Sequence, residues 1–233
     1  MDQRAISMQA RRDRIVDTAE RLIVQESLAA FTMRRLAEEV GLSVKTLYNL
    51  CGDKHAIAAE VEDRAYCALE ASVRSISDDL KPIDCVLEIM TRAAQQSVLR
   101  KGIIHPMWRG ADDIRAGELP RSLEFMELGT QFVEAALREA ADQNRLSPKL
   151  NAHALATQCS VSWFGTAHLW ARGVLTDADF VTRVKYAAYS LLLPYAEGDL
   201  AETCQTMILA LQAEMEPLSY VSVASASLSV SAE

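Results

Sequence analysis

Residues 32–54 read TMRRLAEEVGLSVKTLYNLCGDK and contain two short helical patterns that meet at Gly41. In the first pattern the apolar residues fall on one helical face: Met33, Leu36, Ala37 and Val40. Thr32 precedes this pattern as a helix N-cap. Ser43 caps the second pattern, shortly after the glycine at which a left-handed turn costs least. The stretch is therefore predicted to form a helix-turn-helix.

The second helix of this pair is predicted to expose one face to a partner. Its apolar residues Val44, Leu47 and Leu50 suit the interior. Helix-turn-helix proteins contact base edges with residues near the start of the second helix, which here are Lys45, Thr46, Tyr48 and Asn49. Lys45 can approach guanine acceptors or a phosphate, and Asn49 can pair with adenine.

Further phosphate contacts are predicted where helices begin. Lys54 starts the following helix, where its ammonium group and the free backbone amides together suit a phosphate. Thr32 and Arg34 offer the same chemistry at the start of the first helix. Ordinary exposed polar residues are the alternative interpretation. The predicted DNA-binding residues are Thr32, Arg34, Ser43, Lys45, Thr46, Tyr48, Asn49 and Lys54.

The charge of the chain is distributed unevenly. The net charge is −8, yet residues 1–55 hold nine Lys or Arg against eight Asp or Glu. The remaining residues hold 15 Lys or Arg against 24 Asp or Glu. Because DNA is a polyanion, phosphate contact is disfavoured almost everywhere outside the N-terminal quarter. If the protein binds DNA, it is expected to do so through that quarter.

Composition and cysteine usage favour a soluble, cytoplasmic protein. Half of the residues are hydrophobic, which is enough for the core of one ordinary domain or two small ones. No apolar run has the length needed to span a bilayer, and residues 1–10 lack the apolar segment of a secretion signal. The five scattered cysteines, without a Cys-x-x-Cys pair, are typical of reduced thiols: Cys51, Cys67, Cys85, Cys159 and Cys204.

The chain before the helix-turn-helix is predicted to contain an arm and one helix. Residues 1–10 are expected to be disordered. A basic segment that can follow phosphates or enter a minor groove is formed by Arg4, Arg11, Arg12 and Arg14. A solvated charged start is the alternative. The first helix is expected over residues 11–26, with a face that closes a three-helix core: Ile15, Ala19, Leu22 and Ile23.

Residues 12–57 resemble the DNA-binding domain of the tetracycline-repressor (TetR) family of bacterial regulators. The resemblance is carried by the segments RIVDTAERLI (14–23), FTMRRLA (31–37), VGLS (40–43), TLY (46–48) and GDK (52–54). The rest of the chain matches only in length and all-helical character. The resemblance implies a homodimeric DNA-binding repressor with a small-molecule site in a larger C-terminal domain. It also implies that Tyr48 binds a phosphate through its hydroxyl group.

The chain departs from the family's pattern in three places. Cys51 stands where phenylalanine is usual, and Ser27 stands where a glycine commonly ends the first helix. Asn49 and Leu50 replace the tyrosine or histidine that often follows the Leu-Tyr pair. An aromatic-to-cysteine exchange leaves a void that costs roughly 3 kcal/mol unless a neighbour fills it. Cys51 is expected to be a small core residue, with a redox-sensitive thiol as the alternative.

The domain boundaries follow from these patterns. The helix-turn-helix domain is predicted over residues 11–57, a helical sensor and dimerisation domain over 58–216, and a flexible tail over 217–233. A long helix is expected to run from the end of the first domain to about Leu80. Residues 103–120 contain prolines and glycines and are expected to hold short helices at most.

Two helices near the C-terminus are predicted to serve dimerisation. The segments 152–172 and 177–195 are apolar over more than one face, so each needs two sets of neighbours. One set is the core of the domain itself. The other is a second subunit, since the family builds its dimer from the equivalent helices.

The sensor half offers candidates for a ligand site and none for catalysis. The four histidines lack the spacing of a helical metal-binding pair, and no nucleophile motif or P-loop is present. No metal, cofactor or catalytic residue is therefore predicted. Aromatic and methionine side chains can line a cavity between helices, although plain core packing is the alternative: Trp108, Phe125, Met126, Phe132, Trp163 and Phe164.

These observations predict an all-α protein with an N-terminal helix-turn-helix domain and a larger helical domain. The expected function is that of a homodimeric repressor that binds a palindromic operator in double-stranded DNA and is released by a small molecule. A ligand-dependent activator with the same fold is the first alternative. A helical enzyme or small-molecule-binding protein without a DNA function is the second, and it would need a constellation of residues that the sequence does not contain.

Overall fold

The computed structural model describes residues 3–76, 80–109, 121–215, 217 and 218. These residues form helices, with one isolated β-bridge between Leu146 and Ala196, so the predicted all-α fold is confirmed. The helices are α1 (Gln3–Glu26), α2 (Met33–Val40), α3 (Val44–Cys51), α4 (Lys54–Arg74), α5 (Pro82–Leu99), α6 (Lys101–Arg109), α7 (Arg121–Asp142), α8 (Ala152–Ala171), α9 (Asp177–Leu192), a 3-10 helix (Leu193–Tyr195) and α10 (Asp199–Glu214).

The chain divides into two compact units. The N-terminal unit comprises Met1–Ala68 and Arg100–Gly110, and the C-terminal unit comprises Leu69–Leu99 and Ala111–Glu233. The boundary predicted after residue 57 lies inside α4, which contributes residues to both units. A segment distant in sequence, α6, thus joins the unit that contains the helix-turn-helix.

Two predicted boundaries lie partly outside the described residues. Of the segment 103–120, the structure describes the part in α6, a short helix as expected, and residues 110–120 lie outside the description. Of the tail predicted over 217–233, only residues 217 and 218 are described. The helix predicted to reach about Leu80 ends at Arg74 instead. Near this end the Ser72 and Ser75 hydroxyls donate to backbone carbonyls, which competes with continuation of the helix.

The first helix is longer than predicted, since α1 begins at Gln3. The disorder predicted for residues 1–10 is therefore wrong for residues 3–10. No glycine or proline interrupts this stretch, and Gln9 Nε2 donates a 3.0 Å hydrogen bond to Asp13 Oδ1 one turn later. A polar segment can extend a helix when its following turns are anchored in a core.

The core of the N-terminal unit lies between α1 and the helix pair. The predicted face of α1 is confirmed, because its four apolar residues are at most 1% exposed: Ile15, Ala19, Leu22 and Ile23. Phe31, Leu36 and Leu47 are fully buried in the same unit. Burying a side chain of this size contributes about 1.5–3 kcal/mol, so this small core fixes the position of α3.

α6 approaches α1 closely at a glycine. A Cβ atom added to Gly102 would lie 2.9 Å from Val24 Cα and 3.2 Å from the Val24 carbonyl oxygen. Both are backbone atoms, which cannot move aside as a side chain can. The absence of a side chain at Gly102 therefore permits this packing of α6 against α1.

The backbone at Ser27 is expected to be strained, and substitution by glycine is expected to relieve that strain. It lies at φ 80°, in the left-handed region, and its Oγ accepts only a long 3.4 Å bond from the Ala30 amide. We expect Ser27→Gly to raise the free energy of unfolding by about 0.5–1 kcal/mol, as measured by urea denaturation. Asn144→Gly is the control, because asparagine tolerates its φ of 56°. An unchanged or lower stability of Ser27→Gly would contradict the strain.

An aromatic cluster forms the centre of the C-terminal unit, where α5, α7, α8 and α9 pack together. Phe180 is fully buried and stacks on Trp170, with ring centroids 4.7 Å apart and an interplanar angle of 13°. It meets Trp163 edge to face at 5.7 Å. The two indole N–H groups are also satisfied: Trp163 donates to the Met90 carbonyl at 3.0 Å and Trp170 to Asp177 Oδ1 at 2.9 Å.

None of the helices in the described part of the chain has the length and apolar character required to cross a membrane.

Candidate DNA interface and sensor cavity

The turn between α2 and α3 is fixed by backbone geometry. Gly41 lies at φ 68° and ψ 36°, a conformation that residues with a Cβ atom rarely adopt. The Leu42 amide donates to the Ala37 carbonyl over 3.0 Å, and the Gly41 amide donates to the Glu38 carbonyl over 3.3 Å. These bonds satisfy the last carbonyls of α2 and set the direction in which the chain enters α3.

Both predicted N-caps are confirmed. Thr32 Oγ1 accepts a 3.2 Å bond from the Arg35 amide, and Ser43 Oγ accepts a 3.1 Å bond from the Thr46 amide. Ser43 Oγ also lies 2.7 Å from Thr46 Oγ1. Because capping uses oxygen lone pairs, the Thr32 hydroxyl proton stays available, and so does one of the two protons in the Ser43–Thr46 pair. Each helix start can therefore donate a hydrogen bond to a phosphate.

α3 carries its polar side chains on an exposed face. Lys45, Tyr48 and Asn49 are exposed, and Thr46 is half-buried at the start of the helix. Lys45 and Asn49 are four residues apart and Tyr48 lies between them, so the three share one face. On the opposite side Leu47 is fully buried. The structure thus brings the predicted contact residues of this helix together on a surface that can enter a groove.

The interior residues of α3 differ in part from the prediction. Val44 is 37% exposed and not buried, because it is the first residue of the helix and no preceding turn covers it. Cys51 takes the buried position at 4% exposure, four residues after Leu47, while Leu50 is half-buried. Burial raises the pKa of the Cys51 thiol, which favours its protonated form. These observations support the interpretation of Cys51 as a small core residue.

Lys54 and Arg34 form only weak contacts with neighbouring residues. Lys54 Nζ lies 3.5 Å from the Ala29 carbonyl oxygen and 6.0 Å from the centroid of the Phe31 ring. Arg34 Nε pairs with Glu38 Oε1 at 3.2 Å, with 86% of the Arg34 side chain exposed. Ion pairs this exposed contribute about 0–1 kcal/mol. Either cation can therefore exchange its present contact for a phosphate.

Four further arginines of the N-terminal unit form ion pairs with carboxylates. Arg12 pairs with Glu60 at 2.8 Å, and Arg64 pairs with Asp13 at 2.9 Å and Asp17 at 2.7 Å. Arg21 and Arg35 pair with glutamates in the same way. These guanidinium groups stabilise the unit itself, and they are poor candidates for contact with DNA.

Arg11 and Arg14 differ from these arginines. Neither forms an ion pair with any residue that the structure describes, and both are exposed. They lie three residues apart on one face of α1 and line a polar groove of about 660 Å³, together with Gly41 and Leu42 of the turn. Among the arginines of the predicted arm whose side chains the structure describes, Arg11 and Arg14 therefore lie unpaired beside the helix-turn-helix, whereas Arg12 is paired. Sequence alone could not separate them from Arg12, whose partner is 48 residues away.

The C-terminal unit contains a cavity of about 40 Å³ that is open on one side. Four of the six residues predicted for a ligand site line it: Phe125, Met126, Trp163 and Phe164. Val73, from the last turn of α4, forms part of the wall. Sequence reasoning missed Val73 and also Ser160, because their positions depend on which helical faces meet.

The other two predicted ligand residues lie elsewhere. Trp108 is buried at 5% exposure in α6, which belongs to the N-terminal unit. Phe132 is outside the cavity wall, and its ring lies 5.4 Å from the Arg74 guanidinium carbon. Neither is therefore retained as a candidate for this cavity.

A second, shallower groove lies along α8 and α9, and Met215 and Leu218 after α10 also line it. Its volume is about 380 Å³, and small or apolar side chains dominate it, among them Thr166, Leu169, Ala187 and Leu191. Val161, which directly precedes the groove residue Ser162, is 51% exposed. This face belongs to the two helices whose apolar character predicted a second set of neighbours.

Within the described residues no group of three or more His, Cys, Asp or Glu side chains is placed to hold a metal ion. His153 Nδ1 lies 2.9 Å from Glu134 Oε2 on the surface, where the imidazole contributes to lowering the pKa of the carboxyl group. All five cysteines are free thiols.

The capped turn, the exposed polar face of α3 and the helical unit that follows define a DNA-binding protein of the helix-turn-helix class. Residues 15–61 match the family model of bacterial regulatory proteins of the tetR family. The resemblance predicted from the sequence is thereby confirmed. No curated protein sequence matches the chain.

Solved structures of TetR-family regulators share the fold. SmeT, the repressor of the Stenotrophomonas maltophilia multidrug efflux pump SmeDEF, is 17% identical with a TM-score of 0.61, over 81% of this chain and 92% of that chain. The SmeT–triclosan complex is 18% identical with a TM-score of 0.59, over 82% and 94%. The Thermus thermophilus repressor FadR, solved with lauroyl-CoA, is 18% identical with a TM-score of 0.55, over 78% and 93%.

Proposed function

We propose that the protein is a homodimeric transcriptional repressor that binds a palindromic DNA operator and is released from it by a small molecule. The observation that carries the proposal is the capped helix-turn-helix with Lys45, Tyr48 and Asn49 on one exposed face of α3. SmeT and FadR are both repressors, which supports repression over activation.

In the proposed dimer, each chain contributes one α3 helix to the contact with DNA. A palindrome has two half-sites, and two α3 helices must lie about 34 Å apart to enter successive major grooves. One chain supplies a single α3. The small and apolar groove on α8 and α9 is a suitable contact surface, because two copies of it would form a four-helix bundle.

We propose that ligand binding releases the DNA by moving α4. This helix begins at Lys54, separated from α3 by only Gly52 and Asp53, and its last turn places Val73 in the cavity wall. A ligand that pushes Val73 outward moves the helix that directly follows α3. In a dimer this changes the distance between the two α3 helices, and the form that fits the operator becomes less populated.

Selection of DNA from a random pool by the purified protein tests this function. We expect a palindromic sequence, a footprint over both half-sites, and a protein–DNA complex of two chains by sedimentation. The footprint should disappear when a small molecule fills the cavity. Tight operator binding by a monomer would overturn the proposal. Failure to retain any DNA at low salt would favour a helical ligand-binding protein without a DNA function.

Removal of Arg11 and Arg14 is expected to weaken binding to all DNA sequences alike. Each phosphate contact contributes about 0.9 to the slope of log affinity against log salt, so Arg11→Ala with Arg14→Ala should reduce the slope by about 2. Fluorescence anisotropy with a random-sequence duplex between about 50 and 200 mM salt measures it. Arg138→Ala with Lys149→Ala removes two exposed charges from the C-terminal unit and is the matched control. An equal slope in both double variants would contradict the contact.

A further inference from the structure

The wall of the sensor cavity carries no charge. Its side chains are aliphatic, aromatic or sulfur-containing, apart from the hydroxyl of Ser160. Burial raises the pKa of Cys159 to about 12, so this thiol in the wall remains protonated and neutral. An ionised ligand group would lose its hydration there without gaining an opposite charge, which is strongly unfavourable. The cavity therefore selects uncharged ligands.

One polar atom in the wall is available to a ligand. The Thr130 hydroxyl donates to the Met126 carbonyl over 2.8 Å, so its proton is already used. Ser160 Oγ lies 2.7 Å from Thr130 Oγ1 and must be the donor of that bond. Ser160 is 8% exposed, and its oxygen keeps lone pairs for a further bond. Trp163 Nε1 is occupied by the Met90 carbonyl. A ligand is therefore recognised best when it brings a hydrogen-bond donor to Ser160.

Aromatic rings and flexible thioethers shape the remainder of the wall. Trp163 meets Phe125 at 6.0 Å and Phe164 at 5.3 Å, both edge to face, and further rings are attracted to such surfaces. The cavity of about 40 Å³ is smaller than the ~150 Å³ that encloses a benzene molecule. Met90 and Met126 in the wall can change rotamer at low cost. Ligand entry thus requires the wall to expand.

Gly129 lies at the centre of the α7 face that lines the cavity. Phe125 and Val133 stand four residues before and after it on the same face, and all three line the cavity. A Cβ atom added to Gly129 would meet no heavy atom within 4 Å. The space beside this residue is therefore open, and a larger side chain would occupy it without displacing the backbone.

We propose that the cavity binds uncharged ring compounds with one hydrogen-bond donor, such as phenols and indoles, and that Ser160 Oγ accepts from that donor while Gly129 sets the ligand's size. The inference rests on the proposed function, because binding of such a compound is the event that releases DNA. Beyond that function, we assign the chemical class of the ligand and the two residues, Ser160 and Gly129, that recognise it.

Isothermal titration calorimetry on the 233-residue chain without DNA tests the inference. The donor-bearing probes are phenol, indole and para-phenylphenol. Toluene, naphthalene and biphenyl lack the donor, and benzoate, indole carboxylate and biphenyl carboxylate carry a charge. We expect the donor-bearing probes to bind about 3- to 10-fold more tightly than those without a donor, the value of one hydrogen bond. The carboxylates should bind at least about tenfold more weakly than the donor-bearing probes.

Three variants connect the ligand preference to Ser160 and Gly129. Ser160→Ala should abolish the advantage of phenol over toluene and leave toluene binding unchanged. Gly129→Leu should abolish binding of para-phenylphenol, and Gly129→Ala should weaken it more than it weakens phenol. Because alanine favours a helix over glycine, Gly129→Ala should also melt at a higher temperature, which shows that the variant folds. Equal affinity for carboxylates, an unchanged preference in Ser160→Ala, full binding by Gly129→Leu, or no binding by any neutral probe would overturn the inference.

The same probes separate this inference from the proposed function. If a donor-bearing probe binds as expected but leaves a preformed protein–DNA complex intact, the ligand chemistry is supported and release by the ligand is overturned. If the protein footprints an operator but binds none of the neutral probes, DNA binding is supported and the ligand chemistry is overturned.

Discussion

Asn49→Ala is expected to relax base preference at one base pair while leaving general affinity for DNA largely intact. Asn49 is exposed on the same face of α3 as Lys45, and a side-chain amide pairs with adenine through two hydrogen bonds. Loss of such a contact costs about 1–3 kcal/mol of discrimination against the wrong base. Lys45→Ala should relax preference at a different base pair. Anisotropy titrations of the pool-selected operator and of a scrambled duplex give the ratio of affinities that measures this effect.

Two control variants distinguish a loss of base preference from a general loss of affinity for DNA. Lys54→Ala should lower affinity for the operator and the scrambled duplex by the same factor, because a phosphate contact carries no sequence information. Gln95→Ala, an exposed amide on α5 in the C-terminal unit, should change neither affinity. An unaltered ratio in Asn49→Ala would place the base-reading face of α3 elsewhere.

Phe180→Ala is expected to produce the largest loss of stability in the C-terminal unit. Its ring is fully buried between Trp163 and Trp170, so truncation removes two aromatic contacts and leaves a cavity. Such substitutions cost about 3–5 kcal/mol. For a chain of this size each kcal/mol corresponds to about 2–4 °C, so the melting temperature should fall by about 6–20 °C in a calorimetric scan.

The matched control is the truncation of an exposed apolar residue, which loses few packing contacts. Leu209 on α10 is 68% exposed, and Leu209→Ala should stay within about 0.5 kcal/mol of the parent. If Phe180→Ala behaved like Leu209→Ala, the aromatic cluster would not be the centre of the unit's stability.

The helix-turn-helix could be predicted from sequence because its signals are local. The caps at Thr32 and Ser43 and the left-handed Gly41 act within a few residues, and all three occur as predicted. Val44 was misplaced because a helical pattern does not show whether the first turn is covered. The pairing of Arg12 with Glu60, which distinguishes Arg12 from its unpaired neighbours Arg11 and Arg14, depends on the packing of α1 against α4.

The cavity of the C-terminal unit could be predicted only in outline. Helical periodicity indicates that Phe125, Trp163 and Phe164 face a core, but it does not show which faces surround an open space. Phe132 lies seven residues after Phe125 on α7, yet it lies outside the cavity wall. The Ser160–Thr130 pair has no sequence signal, because two hydroxyls on different helices meet only after those helices pack.

The close packing of Gly102 against the backbone of Val24 affects when the N-terminal unit can finish folding during synthesis. The N-terminal unit is completed by residues 100–110, and residues 69–99 of the other unit are synthesised before them. At roughly 5–20 residues per second, several seconds pass between translation of α3 and translation of α6. The N-terminal unit thus reaches its full set of contacts only once part of the C-terminal unit has been made. For the same reason, exchange of this unit between relatives by recombination at a single point would separate α6 from the helix it packs against.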